Sequence, residues 1–250
     1  MNQTKLLKVI NISKSFGGVQ AVRNVSFDIK PGELLGVIGP NGSGKTTIVN
    51  LITRFVKATS GEVMFHGEKI NHLPPHKIIR LGISRTFQMV RPFYKLPAYK
   101  NMIIPLYSPR VKNFVGGKYG DRDAMALDLL EEVGFERDSF VAYKPAGILP
   151  QGYLKRLELA KAISLQPELM ILDELFSGLS LAEVASIVPI VEKLRQKGIA
   201  IIMIEHRLKE LFKIADRVIV LNYGEKIADG SAKEVMANDD VKNAYLGTEA

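Results

Sequence analysis

The chain has 250 residues, 46% hydrophobic and 24% charged, enough for a substantial core in one large or two small domains. It contains no cysteine, which excludes disulfides and thiolate metal sites. A formal net charge of +8 permits an anionic partner (nucleic acid, an anionic membrane surface or a nucleotide) and equally describes a mildly basic solvated surface. The stretches KLLKVINI (5–12) and VSFDI (25–29) read as strands, and PGELLGVIG (31–39) as a turn entering a buried strand. Residues 45–56 carry helical spacing through Ile48, Leu51, Ile52 and Phe55, and GEVMFHG (61–67) reads as a strand bounded by glycines. The region 100–120, rich in Gly, Pro and Tyr, is expected to be loop, and 121–133 an amphipathic helix. In ILPQGYLKRLELAKAI (148–163) a turn leads into a helix with Leu154, Leu157, Ala160 and Ile163 on one face and Lys155, Arg156, Glu158 and Lys161 facing elsewhere. ELMILD (168–173) and IAIIMI (199–204) are short apolar runs typical of buried parallel strands, with helical patterns at 181–197 and 207–214. RVIVLNYGEKIADG (217–230) reads as two strands turning at Tyr223-Gly224. No run is long enough to span a bilayer, and the first ten residues lack the apolar core of a secretion signal. A cytosolic chain is expected, with any membrane role supplied by a partner.

Strands at both ends and mostly helix from about 90 to 165 point to an α/β core with an inserted helical subdomain. At 39–47, GPNGSGKTT satisfies G-x-x-x-x-G-K-[ST], between an apolar strand and an amphipathic helix. Gly39, Gly42 and Gly44 allow the backbone N–H groups of the loop, which also holds Pro40, Asn41, Ser43 and Thr47, to turn inward on phosphate oxygens. The helix that follows aims its N-terminus at the same anion. Lys45 would bridge the β- and γ-phosphates, and Thr46 would offer its hydroxyl to Mg²⁺. This pattern specifies a nucleoside triphosphate but not a family.

LMILDE (169–174) is an apolar strand ending in two acids, a weak signal alone and a stronger one about 130 residues after a phosphate loop. Asp173 would hold Mg²⁺, and Glu174 would orient or deprotonate the attacking water. IIMIEH (201–206) ends a further buried strand in His206. A lone histidine is more often structural; beside the Asp-Glu strand it becomes a candidate γ-phosphate sensor. His72 and His76 are spaced i, i+4, but Pro74 and Pro75 intervene and no metal site is expected there.

Taken in order, these pieces resemble an ABC-type ATPase over essentially the whole chain. The resemblance implies a P-loop NTPase core with a mostly parallel sheet (1–88 and 165–250), an antiparallel β subdomain and a helical subdomain at about 89–164, all in one ATPase domain. It implies that Phe16 stacks on adenine and that Gln88 ligates Mg²⁺ or the attacking water and relays motion to a membrane partner. RTFQMVRPF, the 100–145 insertion, EHRLKEL and VKNAYLG narrow the likeness to the larger ATPase subunit of branched-chain amino acid importers. That implies a peripheral protein on the cytoplasmic face of the membrane, docked to permease subunits near 89–100, where Phe93, Tyr94 and Tyr99 fit an interface or a local core. It also implies a homo- or heterodimer with a second ATPase subunit and, indirectly, a periplasmic or extracellular solute-binding protein; no nucleic acid is expected.

The family's Leu-Ser-Gly-Gly-Gln signature is replaced by Leu149, Pro150, Gln151, Gly152 and Tyr153. In the family this helix start meets the ATP held by the other subunit. Gly152 keeps close approach open, Gln151 can substitute in part, and the serine hydroxyl is lost, a contact worth about 1.5–3 kcal/mol to a charged group. Leu175 replaces a proline, and Ser180 replaces the usual Asp or Asn of a loop that contacts the opposite subunit. Two other readings stay open: a weakly hydrolysing regulatory subunit, and the ATPase of another ABC system such as a lipid exporter. A GTPase is disfavoured, because no N-K-x-D motif is present.

Overall fold

Strands β3 (Leu34–Ile38), β7 (Leu169–Asp173) and β8 (Ala200–Ile204) are buried at all five residues each, as parallel strands covered on both faces must be. In the computed structural model, which describes residues 5–114 and 122–246, they lie inside a six-stranded sheet of order β10-β9-β3-β8-β7-β6. Its other strands are β6 (Ile83–Arg85), β9 (Arg217–Asn222) and β10 (Glu225–Gly230). All neighbours are parallel except β9 and β10, a hairpin turning at Tyr223 and Gly224. A second, antiparallel sheet has the order β2-β1-β4-β5, from β1 (Leu7–Phe16), β2 (Val19–Ile29), β4 (Ser60–Phe65) and β5 (Glu68–Lys69).

Strand pleating sorts the interior into two cores. Along β7, Leu169 and Ile171 enter one, with α1 (Lys45–Ile52) and the antiparallel sheet; Met170 and Leu172 enter the other, with the helices between β6 and β8. That second core holds α5 (Arg122–Glu132), α6 (Gln151–Ile163) and α7 (Leu181–Gln196), so the central helices share an interior with the sheet. The remaining helices are α2 (Pro75–Leu81), α3 (Ile103–Leu106), α4 (Pro109–Phe114), α8 (Leu208–Ile214), α9 (Ala232–Ala237) and α10 (Asp239–Leu246).

The loop expected over 100–120 is corrected. Residues 99–102 form a 3-10 turn running into α3, and α4 follows; 115–120 lie outside the described residues. Pro109 opens α4 at its first residue, where proline's missing N–H costs nothing. The helix expected over 45–56 ends at Ile52, where the Thr53 hydroxyl donates to Val49 O and Arg54 turns left-handed at φ 63°.

Candidate active site

The loop between β3 and α1 closes because two glycines sit where no side chain fits. A Cβ on Gly39 would lie 2.1 Å from Leu221 O, and one on Gly44, at φ 103°, 2.7 Å from Ala21 O. The loop therefore wedges against β9 and β2. Inside it, Lys45 is 7% exposed and its Nζ donates to Gly39 O (2.7 Å) and Pro40 O (2.9 Å). Burial lowers its pKa, with the charges of Glu174 and Asp173 opposing.

Three parallel strands deliver the acid rim. Asp173 ends β7; Gln88 follows β6; His206 follows β8. Glu174, left-handed at φ 50°, is locked by its N–H to Ile204 O (2.9 Å). Its carboxylate accepts from Gln88 Nε2 (2.7 Å) at Oε2 and meets His206 Nε2 (3.1 Å) at Oε1. The three residues assigned catalytic roles from sequence thus form one hydrogen-bonded group. Asp173 is already engaged: Arg85 Nη2 donates to its Oδ2 at 2.7 Å, with the side chains 8% and 3% exposed. Removing one member of such a buried pair costs about 3–5 kcal/mol.

Sequence reasoning missed three members of this cluster. Arg85 is the first residue of the RTFQMVRPF segment, and its role depends on β6 lying beside β7. Lys155 was expected to face away from the core; instead it is 2% exposed and donates to Glu174 O (2.9 Å) and Gln88 O (3.2 Å). Glu158, on the same expected outer face, is also buried. The reason is that α6 is enclosed on several sides, packing on α5 and on the rim alike. Glu205 is buried beneath the rim, its Oε1 accepting from the Phe176 N–H (2.8 Å).

Gln151 and Gly152 begin α6 beside Glu183 and Gly178: a Cβ on Gly152 would lie 2.4 Å from Glu183 Oε1, and one on Gly178 3.9 Å from Gln151 Cγ. Pro150 is the N-cap and supplies no side-chain bond. The Glu183 carboxylate serves that end instead. Bonds from the backbone and hydroxyl of Ser180 lead in holding its pKa below the usual range, and the Gly152 N–H also contributes. Ser180 itself caps α7 in a reciprocal capping box with Glu183. Phe16 is exposed at the end of β1, with Lys14 Nζ 4.8 Å from its ring centroid. Phe93 and Tyr94 are exposed, whereas Tyr99 packs on the core and on Tyr143.

The loop suits a polyphosphate. The Ser43 hydroxyl is buried without a partner, Gly42 has open space around it, and the Lys45 ammonium spends its bonds on the loop's own carbonyls. Thr46, Gln88 and Asp173 line one groove and offer oxygen donors of the kind Mg²⁺ takes. Among the described residues no group of three or more His, Asp or Glu side chains could hold a metal, which fits an ion that takes few protein ligands and completes its shell with water and phosphate oxygens.

Comparison with known proteins agrees with this geometry. The ABC transporter family matches residues 22–177, and the family of branched-chain amino acid ATP-binding cassette transporters matches 225–250. The chain is 36% identical over 252 aligned residues to the high-affinity branched-chain amino acid transport ATP-binding protein BraF of Pseudomonas aeruginosa, covering 97% of this chain and 98% of that protein. It superposes on the ADP conformation of MJ1267, an ATP-binding cassette of an ABC transporter, with a TM-score of 0.85, 32% identity and coverage of 97% and 99%. The dimeric post-hydrolysis state of the cassette MJ0796, bound to ADP and Pi, gives a TM-score of 0.79 at 26% identity, covering 90% and 98%. With a phosphate loop, an acid rim and a helix start in this arrangement, the chain belongs to the ATP-binding ATPase subunits of ABC transporters, in the branch that carries the branched-chain amino acid C-terminal segment.

Proposed function

We propose that the chain is the ATP-hydrolysing motor subunit of an importer for branched-chain amino acids or a related small polar solute. The observation that carries the chemistry is the grip on Glu174, held between Gln88 and His206 in a site whose phosphate-loop lysine senses its charge. The phosphate loop and Lys45 bind and orient the triphosphate, and Phe16 stacks on adenine. Bound Mg²⁺ supplies charge neutralisation on the phosphate oxygens, and Thr46, Asp173 and Gln88 are the residues that would hold it. Glu174 takes the proton of the water whose oxygen bonds the γ-phosphorus as the bond to the ADP oxygen breaks. His206 orients Glu174 and the departing phosphate. The solute named for BraF supports the branched-chain reading here.

Gln151 and Gly152 act on the nucleotide of a second ATPase subunit, identical or different, and the dimeric MJ0796 cassette supports that arrangement. The segment 89–164 is the coupling part of the domain. The apolar end of the groove that Thr46, Gln88 and Asp173 line, walled by Ile79, Phe87, Met89 and Ile104, is the proposed seat of a cytoplasmic permease segment. The subunit then sits peripherally on the cytoplasmic face, and a solute-binding protein acts through the permease. The reading is tested with Glu174→Gln. It should bind ATP like the parent while hydrolysis falls about a hundredfold or more, and it should hold a closed dimer. Undiminished turnover would remove Glu174 from the mechanism.

A further inference from the structure

Arg85 is a buried cation at the end of a strand that is otherwise apolar at its core-facing position. Register explains where it points: Arg85 pairs with Ile171, which puts it diagonal to Asp173 on the pleat that faces α1. Its guanidinium forks. Nη2 goes to Asp173 Oδ2 (2.7 Å) and Nη1 to Asn50 Oδ1 on α1 (2.6 Å), while Nε is buried without a partner. The guanidinium carbon stands 5.1 Å from the ring centroid of Phe87, which walls the groove beside the site. Among the described residues, this is the one ion pair that Asp173 makes.

A carboxylate this deeply buried needs a compensating charge at every stage of a cycle. When nucleotide and metal depart, the protein itself must supply it. The Lys45 charge acts on Asp173 only through space, since its ammonium is bonded to the loop carbonyls, whereas Arg85 is in direct contact. We propose that Arg85 is a resident counter-cation for Asp173, compensating the carboxylate when no metal is present and competing with the metal for it. Asn50 and the face of Phe87 keep the guanidinium in place when Asp173 turns to the ion. The consequence is a metal affinity set lower than Asp173 alone would give, so that the ion leaves with the product. Arg85 is a positioning residue, and the proposal rests on the reading of this site as one for a Mg²⁺-bound nucleotide.

The test is the affinity for a fluorescent ADP analogue in excess Mg²⁺ and in EDTA, for the parent chain and Arg85→Gln. In the variant the ratio of the two affinities should widen about tenfold, through weaker binding in EDTA and retained binding in Mg²⁺. Equal losses under both conditions, or an unchanged ratio, would mean that Arg85 only supports the fold, and would overturn the proposal. If Arg85→Gln does not fold, Arg85→Lys keeps the charge but cannot bridge Asn50 and Asp173. It should widen the ratio about two- to threefold and gain more melting temperature from Mg²⁺ and ADP than the parent does; an unchanged ratio there overturns the proposal equally. Parent protein that binds no nucleotide, with Lys45→Ala indistinguishable from it, would defeat the nucleotide reading as well. Normal parent binding with an unchanged ratio defeats only the role of Arg85.

Discussion

Glu205 holds a carboxyl 2% exposed to solvent, and burial raises its pKa from 4.5 to about 7 against the opposing Phe176 N–H. The folded chain therefore binds that proton more firmly than the unfolded chain. The resulting contribution to stability is greatest below 4.5, declines as the pH rises from there through about 7, and stays at its lowest above. Glu205→Gln keeps an acceptor for the Phe176 N–H and removes the ionisation. Its stability relative to the parent should improve by about 2 kcal/mol between pH 5 and pH 8 in urea melts. A difference that does not change with pH would place the compensation for this carboxylate in Lys155, whose charge also acts on it. Neither residue announced itself in the sequence. The phosphate loop was legible because its parts are contiguous and each spacing has a chemical reason, whereas Arg85, Lys155 and Glu205 acquire meaning only from the neighbours that strand order and helix rotation give them.

Helix α6 shows how one element serves two sites. Its first residues, Gln151 and Gly152, are the proposed contact with a partner's nucleotide, while Lys155, one turn on, ties the backbones of Gln88 and Glu174. Lys155→Met keeps the volume and removes both bonds. Binding of ADP should be unchanged while hydrolysis falls on the order of ten- to a hundredfold, from displacement of Glu174 and Gln88, and Lys155→Arg should recover most of it. Parallel losses of binding and turnover would show a general loss of fold. Helical periodicity located α6 but misjudged its exposure, because a one-sided pattern is read as a surface helix and α6 is enclosed by its neighbours. The capping boxes of α7 and α9 (Ser180 with Glu183, Ser231 with Glu234) were written in the sequence as Ser-x-x-Glu, yet α9 was not anticipated. The region 100–120 reads as loop from its Gly, Pro and Tyr content, yet Pro109 starts a helix.

At the scale of the molecule, the site lies between two cores on opposite faces of one sheet, and the groove beside it opens outward. Among the described residues no helix is long and apolar enough to cross a membrane, and the proposed contact with a permease is the surface of that groove. Ile104, 62% exposed in the groove wall, tests where that surface is. Ile104→Glu should leave ADP binding intact and lower co-purification with the permease subunits about tenfold or more, a charge in a desolvated contact being costly. Retained co-purification would move the seat elsewhere.

The burial of β3, β7 and β8 on both faces has a consequence for assembly as well as for chemistry. A strand with one wet face cannot slide by a residue without exposing its apolar side, but these three have apolar residues on both faces and gain little protection that way. Alignment falls to the polar groups at their tips: Arg85 on Asp173, the Asp173 N–H on the Thr86 hydroxyl, and the Glu174 N–H on Ile204 O. The groups that carry the reaction are also the notches that key β7 to β6 and to β8, so substitutions at this rim should slow refolding along with catalysis.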